Sequence, residues 1–102
     1  MAFIYKAINP DISGGTADTT PYQRAFDATT SWGAASGGVY SQTITRAVHG
    51  KSVTPIVQVY ELDTGNYELV LPNSIDIDTS GNVTITVTEN NNTRFEGRIV
   101  IL

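Results

Sequence analysis

The sequence has no cysteine in its 102 residues, so neither a disulfide nor a thiolate metal site can staple the fold. It has little charge: Asp, Glu, Lys and Arg together make up 16%, against about 25% in an average protein. Six basic residues against ten acidic ones leave a net charge of −4. No Lys/Arg cluster occurs, which argues against a nucleic-acid partner and against an anionic membrane surface. No apolar run approaches the roughly 20 residues of a membrane span. The opening Met1-Ala2-Phe3-Ile4-Tyr5-Lys6 lacks the basic start and long apolar stretch of a signal peptide, as expected for a chain made in the cytoplasm. A single histidine leaves little material for a His-based metal or catalytic centre.

What replaces charge is Thr, Ser, Asn and Gly. Low charge with 40% hydrophobic residues predicts a folded chain, and abundant Thr favours strands, where β-branched side chains pack on a pleated surface. The length allows one domain with a modest core, burying about 60–65% of the unfolded surface.

Two regions differ in texture. Residues 1–38 read as an irregular N-terminal arm. Phe3 to Ile8 has the composition of a short strand, ended by Asn9-Pro10. Tyr22 to Phe26 reads as one helical turn, because the two rings stand four residues apart. Residues 39–102 read as a domain of short antiparallel strands. Ser41–Val48, Ile56–Leu62, Tyr67–Leu71, Ile75–Asp78, Val83–Thr88 and Phe95–Leu102 are the expected strands. Asp63–Asn66, Thr79–Gly81 and Asn90–Asn92 are the expected turns. Val83, Ile85 and Val87 alternate with Thr84, Thr86 and Thr88, the pattern of a half-buried strand. The fold class is therefore all-β: an antiparallel β-sandwich or a jelly-roll-like barrel. In Ile56–Tyr60 and Ile99–Leu102 both strand faces are apolar. An antiparallel sheet with one wet face alternates instead, so both strands are expected to be covered on two sides. In so small a domain, a second subunit is the expected outer cover.

The candidate chemistry is sparse. Asp76-Ile77-Asp78-Thr79-Ser80-Gly81-Asn82 echoes the start of a calcium loop, but Val87 stands where the bidentate Glu is needed. The same residues are what a hairpin turn requires. His49 has neither a ligand-spaced cluster nor a nucleophile motif, and reads as a loop histidine. Asp76/Asp78 and Glu61/Glu68 are carboxylate pairs of the kind glycoside hydrolysis uses, without any sign of a cleft. Trp32, Tyr40, Tyr60 and Tyr67 serve either as core or as platforms for sugar rings. Asn82-Val83-Thr84 and Asn91-Asn92-Thr93 match the N-glycosylation pattern in a chain rich in both residues. The sequence gives no reason to expect an enzyme, a cofactor or a metal.

The order of elements from Tyr40 onward is more specific. It runs through Val48-His49-Gly50, Pro55-Ile56-Val57-Gln58-Val59-Tyr60-Glu61, Gly65, Glu68-Leu69-Val70 and Pro72. It continues with Ile75–Asp78, Gly81–Ile85 and Phe95-Glu96-Gly97-Arg98-Ile99-Val100-Ile101. This resembles a small β-module of tailed-phage virion proteins, found in capsid decoration (cement) proteins and in tail-fibre or receptor-binding tips. The resemblance implies a homotrimeric β-sandwich on a virion, without catalysis. Between the two roles, the absence of heptads and of a Gly-X-Y shaft favours decoration of the capsid. The implied partners are major capsid protein subunits. The arm's aromatic and apolar residues, Phe3, Ile4, Tyr5, Tyr22, Phe26 and Trp32, are then the candidate contacts. For the tail-tip role, the candidate is the loop Asn90–Thr93.

Overall fold

The computed structural model describes residues 20–88 and 94–102. Its strands are β1 (Tyr22–Phe26), β2 (Val39–Ile44), β3 (Val57–Asp63), β4 (Asn66–Val70), β5 (Ser74–Ile77), β6 (Val83–Thr88) and β7 (Gly97–Ile101). A 3-10 turn at Thr30–Trp32 precedes β2, and a single helical turn, α1 (Arg46–His49), follows it. Every pairing is antiparallel. The strands form two sheets, a four-stranded one in the order β1-β7-β3-β4 and a three-stranded one in the order β2-β6-β5. The architecture is thus a sandwich, and the sheets do not close into the barrel that was the alternative expectation.

The core is what the alternation in β6 predicts. Val83, Ile85 and Val87 point inward, and meet Val59, Ile99 and Ile101 from the other sheet. Ile44, Phe26 and Trp32 complete it. The hairpin β3–β4 turns on Thr64 and Gly65, both at positive φ (51° and 85°). Paired positive φ values in a two-residue loop match the right-handed twist of the flanking strands, which is why glycine stands there.

Three expectations are corrected. Tyr22–Phe26 is no helical turn: it is β1, paired residue for residue with β7 from Tyr22↔Ile101 to Phe26↔Gly97. The described part of residues 20–38 therefore belongs to the sandwich, and a boundary at 38/39 falls inside the fold. The strand expected over Ser41–Val48 ends at Ile44, and its remainder makes α1, leaving Val48 half exposed. The strand expected at Phe3–Ile8 and the turn at Asn90–Asn92 lie outside the described residues.

The two outward faces differ sharply. The outer face of the three-stranded sheet is polar: Ser41, Thr43, Ser74, Asp76, Thr84 and Thr86 oppose one another in register. Thr43 and Thr84 share a hydroxyl–hydroxyl bond of 3.0 Å across that face. On the four-stranded sheet, register puts Tyr60 with Leu69, Leu62 with Tyr67, and Val100 with Gln58 on the outer face. The Ile56–Leu102 pair extends this row. The two-sided cover expected for Ile56–Tyr60 and Ile99–Leu102 is present on the inner side, where Val59, Ile99 and Ile101 are buried. On the outer side Ile56 is 62% exposed and Leu102 45% exposed.

Candidate functional site

The polar residues singled out from the sequence are brought into a knot at one end of the sandwich. α1 starts at Arg46, whose backbone N–H donates to Asn82 Oδ1 at 2.9 Å. The preceding residue, Thr45, makes no side-chain cap, so the cap comes from the β5–β6 turn instead. His49 is the last residue of α1 and is buried, contrary to the loop position expected for it. Its Nδ1 accepts the Lys51 N–H at 2.9 Å, which makes Nε2 the protonated nitrogen. Nε2–H then donates to the Gly81 carbonyl at 2.7 Å. Both ring nitrogens are committed to backbone, so His49 ties the β2–β3 connection to the β5–β6 turn. That arrangement positions chain segments and offers no free nitrogen to a substrate or metal.

The calcium-like loop resolves in the same way. Asp78 accepts the Ser80 and Asn82 backbone N–H groups on Oδ1 and the Asn82 amide on Oδ2. Its oxygens thus face N–H donors of its own turn. The Asn82 backbone N–H, then the Asn82 side-chain amide, then the Ser80 N–H hold the Asp78 carboxyl below the usual carboxylate range. Asp76 lies on the outer face of β5 and accepts the Ser74 hydroxyl at 3.0 Å. The two aspartates therefore have separate local partners. Among the described residues no group of three or more His, Cys, Asp or Glu is placed to hold a metal. Glu61 and Glu68 are direct cross-strand neighbours. Glu61 lines an open cavity of about 560 Å³ between the ends of the sheets, together with Val70, Pro72 and Phe95, whereas Glu68 is exposed on β4. Asn82, the acceptor position of one glycosylation match, has its Nδ2 bound to Asp78.

A second carboxylate is bound still more fully. Asp27 accepts the Thr30 hydroxyl at 2.7 Å and the backbone N–H groups of Ser31 (3.0 Å) and Thr29 (2.9 Å). These bonds hold its carboxyl well below the usual range. Its own N–H donates to Ser31 Oγ, so Asp27 and Ser31 clamp the 3-10 turn that carries Trp32. For both aspartates the folded value lies below the ordinary 3.8. Their contribution is therefore full above that value and falls as pH drops through the folded values, because the unfolded chain protonates first. Thermal melting is expected to be level from neutral pH down to about pH 5 and to decline below about pH 4. Asp27→Asn combined with Asp78→Asn should lower the melting temperature at pH 7 and flatten the acid decline. An unchanged acid limb in that double variant would contradict the assignment.

The aromatic candidates separate into two groups. Phe26 and Trp32 are core residues, 4% and 0% exposed, and cannot serve as the partner contacts expected of them. They pack edge-to-face with Phe95 at centroid distances of 5.4–5.5 Å. Tyr22 is partly buried and packs against the same core. Phe3, Ile4, Tyr5 and the loop Asn90–Thr93 lie outside the described residues. Tyr40 lies under the Arg94 guanidinium, 4.3 Å from its ring centroid. Tyr60 and Tyr67 stand on the outer face of the four-stranded sheet. There they line a depression of about 390 Å³ with Gln23, Arg98 and Val100. Arg98 reaches the Gln23 amide oxygen at 3.3 Å and the Tyr67 hydroxyl at 3.5 Å.

That outer face is the feature with most potential for function. Leu69 and Leu71 are 64% and 87% exposed on and beside β4. Contiguous exposed apolar surface of this kind marks interaction sites on soluble proteins. From the sequence, the two-faced strands were expected to take a second subunit as their outer cover, and the capsid contacts were expected on the arm. Apolar residues on both faces of β3 and β7 were the signal for the face; the addition of β4 to it needed the sheet order. Comparison of the chain with protein-family models, with curated proteins and with solved structures found no match in any of the three.

Proposed function

We propose that this chain is a non-catalytic assembly module, and that it acts as a capsid decoration protein on the virion of a tailed phage. One observation carries the assembly role. Of two sheets with comparable outward positions, one presents mainly Ser, Thr and Asp, and the other presents Ile56, Tyr60, Leu62, Tyr67, Leu69 and Val100 beside the polar Gln23, Gln58 and Arg98. Water alone as the neighbour gives no reason for this asymmetry, whereas a protein surface docked on the apolar sheet does. Of the polar groups singled out as catalytic candidates, His49 and Asp78 are engaged with backbone. The resemblance supplies the shell as the docked surface, with major capsid protein subunits as the partner.

A second reading has its own observation. The depression between Tyr60, Tyr67, Arg98 and Gln23 combines aromatic rings with hydrogen-bonding groups, a chemistry suited to a sugar ring. It favours a receptor-binding tip. Copy number and position in a purified particle separate the two: many copies on the shell for decoration, few at the tail for a tip.

A further inference from the structure

β4 is the terminal strand of its sheet, and no described residue pairs with its outer edge. The direction of its backbone groups follows from the pairing on the other side of β3. Ile56 and Leu102 exchange both N–H···O bonds, at 3.2 and 2.9 Å. Even-numbered residues of β3 therefore bond to β7, and odd-numbered ones bond to β4. Val59 and Glu61 engage Val70 and Glu68, which leaves the N–H and C=O groups of Tyr67 and Leu69 directed at the open edge. Leu71 follows one residue past the end of β4, and in the dimer proposed below the strand extends to include it. Natural edges are usually blunted by Lys, Pro or a bulge. β4 reads Asn-Tyr-Glu-Leu-Val and has neither Lys nor Pro; Glu68 is its one charge, and Pro72 comes only beyond its end.

We propose that β4 pairs antiparallel with β4 of a second copy, about a two-fold axis through Leu69. Charge selects this register. An axis at Glu68 would set two carboxylates opposite each other, in a chain that already carries −4. An axis at Val70 would place Tyr67 opposite the partner's Asn73 and lose its apolar contact. With the axis at Leu69, Glu68 faces the partner's Val70, Tyr67 faces the partner's Leu71, and Leu69 faces the partner's Leu69. Tyr67, Leu69 and Leu71 are all in hydrogen-bonding positions, so the contact forms about six backbone bonds. It covers the most exposed leucines of the described chain. Such a contact is self-complementary, as a two-fold interface requires, and it closes at two copies instead of the three that the resemblance implies. The two four-stranded sheets become continuous, and their apolar outer faces lie side by side. The contact extends the assembly role proposed above. Because it is measured on the isolated chain, its failure leaves shell binding untouched, and failure of shell binding leaves the dimer.

The test is sedimentation equilibrium of the full chain, wild type and Leu69→Lys, with hydrogen exchange on the same samples. The expected wild-type mass is twice the 11.0 kDa of one chain. In Leu69→Lys, two like charges meet at the axis, and the dissociation constant should rise about 100-fold or more. Its thermal midpoint should stay near wild type, because residue 69 points away from the core. The amides of Tyr67 and Leu69 should be protected in the wild-type dimer; residues 67 and 69 should exchange fast in the variant, while Glu68 and Val70 remain protected in both. A wild-type monomer, a threefold mass, or a variant that dimerises as tightly as wild type overturns the proposal. A monomer with protected Tyr67 and Leu69 amides also overturns it.

Discussion

Replacing Gly97 with alanine is expected to abolish the folded state or to destabilise it by more than about 4 kcal/mol, a size reserved for a few mechanisms. Gly97 opens β7 and is flanked on both sides, by Phe26 in β1 and Glu61 in β3. A methyl group at its Cα would lie 1.8 Å from the Tyr60 carbonyl oxygen, 2.9 Å from its carbon and 3.1 Å from Glu61 Cα. All three are backbone atoms of the central strand β3, so no side chain can swing aside. Relief requires β7 and β3 to separate, which breaks the ladder that carries Val59 and Ile99. The cost is steric. It does not arise from a left-handed backbone, so Gly97→Ser should be as damaging as Gly97→Ala. Chemical denaturation followed by far-UV circular dichroism measures it. A midpoint within experimental error of wild type would show that the close approach of the two strands is not needed.

The second large effect is expected at Trp32. Its side chain is fully buried, it closes the aromatic triad with Phe26 and Phe95, and its Nε1–H donates to the Phe95 carbonyl at 3.0 Å. Truncation to alanine should cost about 3–5 kcal/mol from lost packing and the cavity left behind. The Phe95 carbonyl also loses its donor, which adds about 1–3 kcal/mol if water does not replace it. Against a total of roughly 5–15 kcal/mol for a domain, this brings the chain close to unfolding at ordinary temperature. Trp32→Phe keeps a ring in the triad and loses only the N–H and one ring's volume, so it should cost clearly less. Urea titrations by circular dichroism compare the variants; fluorescence cannot, since Trp32 is the only tryptophan. Equal midpoints for the alanine and phenylalanine variants would contradict the role given to the ring.

The β-sandwich was legible in the sequence because its strongest strand obeys one period. Val83–Thr88 alternates strictly, and the observed β6 has those limits. The Asp63–Asn66 turn was equally plain, since Gly65 supplies the positive φ that a two-residue hairpin needs. β1 was hidden by an ambiguity of spacing. Residues four apart share a face in a helix and also in a strand, so Tyr22 and Phe26 fit both. The polar Gln23 and Arg24 between them gave no alternation to decide it. Pairing with β7, more than seventy residues away, decides it in the folded chain. His49 misled for the same reason. Its partner Gly81 is 32 residues distant, and no local pattern announces the contact. The outer face shows both sides of this limit. Its apolar residues in β3 and β7 were visible as two-faced strands, whereas the placement of β4 beside β3 at an open edge is a property of sheet order alone.

Burial also explains why Phe26 and Trp32 were read as contacts. Phe26 and Trp32 are the residue types that interfaces favour, and small cores favour the same types. Only topology separates the two uses. With both rings inside, the exposed apolar residues of the described chain lie mainly on the outer face of the four-stranded sheet. Its cross-strand Glu61/Glu68 pair lies on the opposite side of the strands from that surface. One polar atom inside the sandwich, Gln42 Nε2, has no hydrogen-bond partner among the described residues, and nothing in the fold explains its placement.

The apolar outer face of the four-stranded sheet is proposed above as an assembly surface on a virion shell. A reconstruction of the intact particle tests it most directly. The predicted result is many copies distributed over the shell lattice, each with Ile56, Tyr60 and Leu62 turned toward capsid subunits and the Ser/Thr face of the other sheet turned to solvent. A chain confined to the tail tip, or seated on the shell by its Ser/Thr face with the apolar sheet in water, would contradict it.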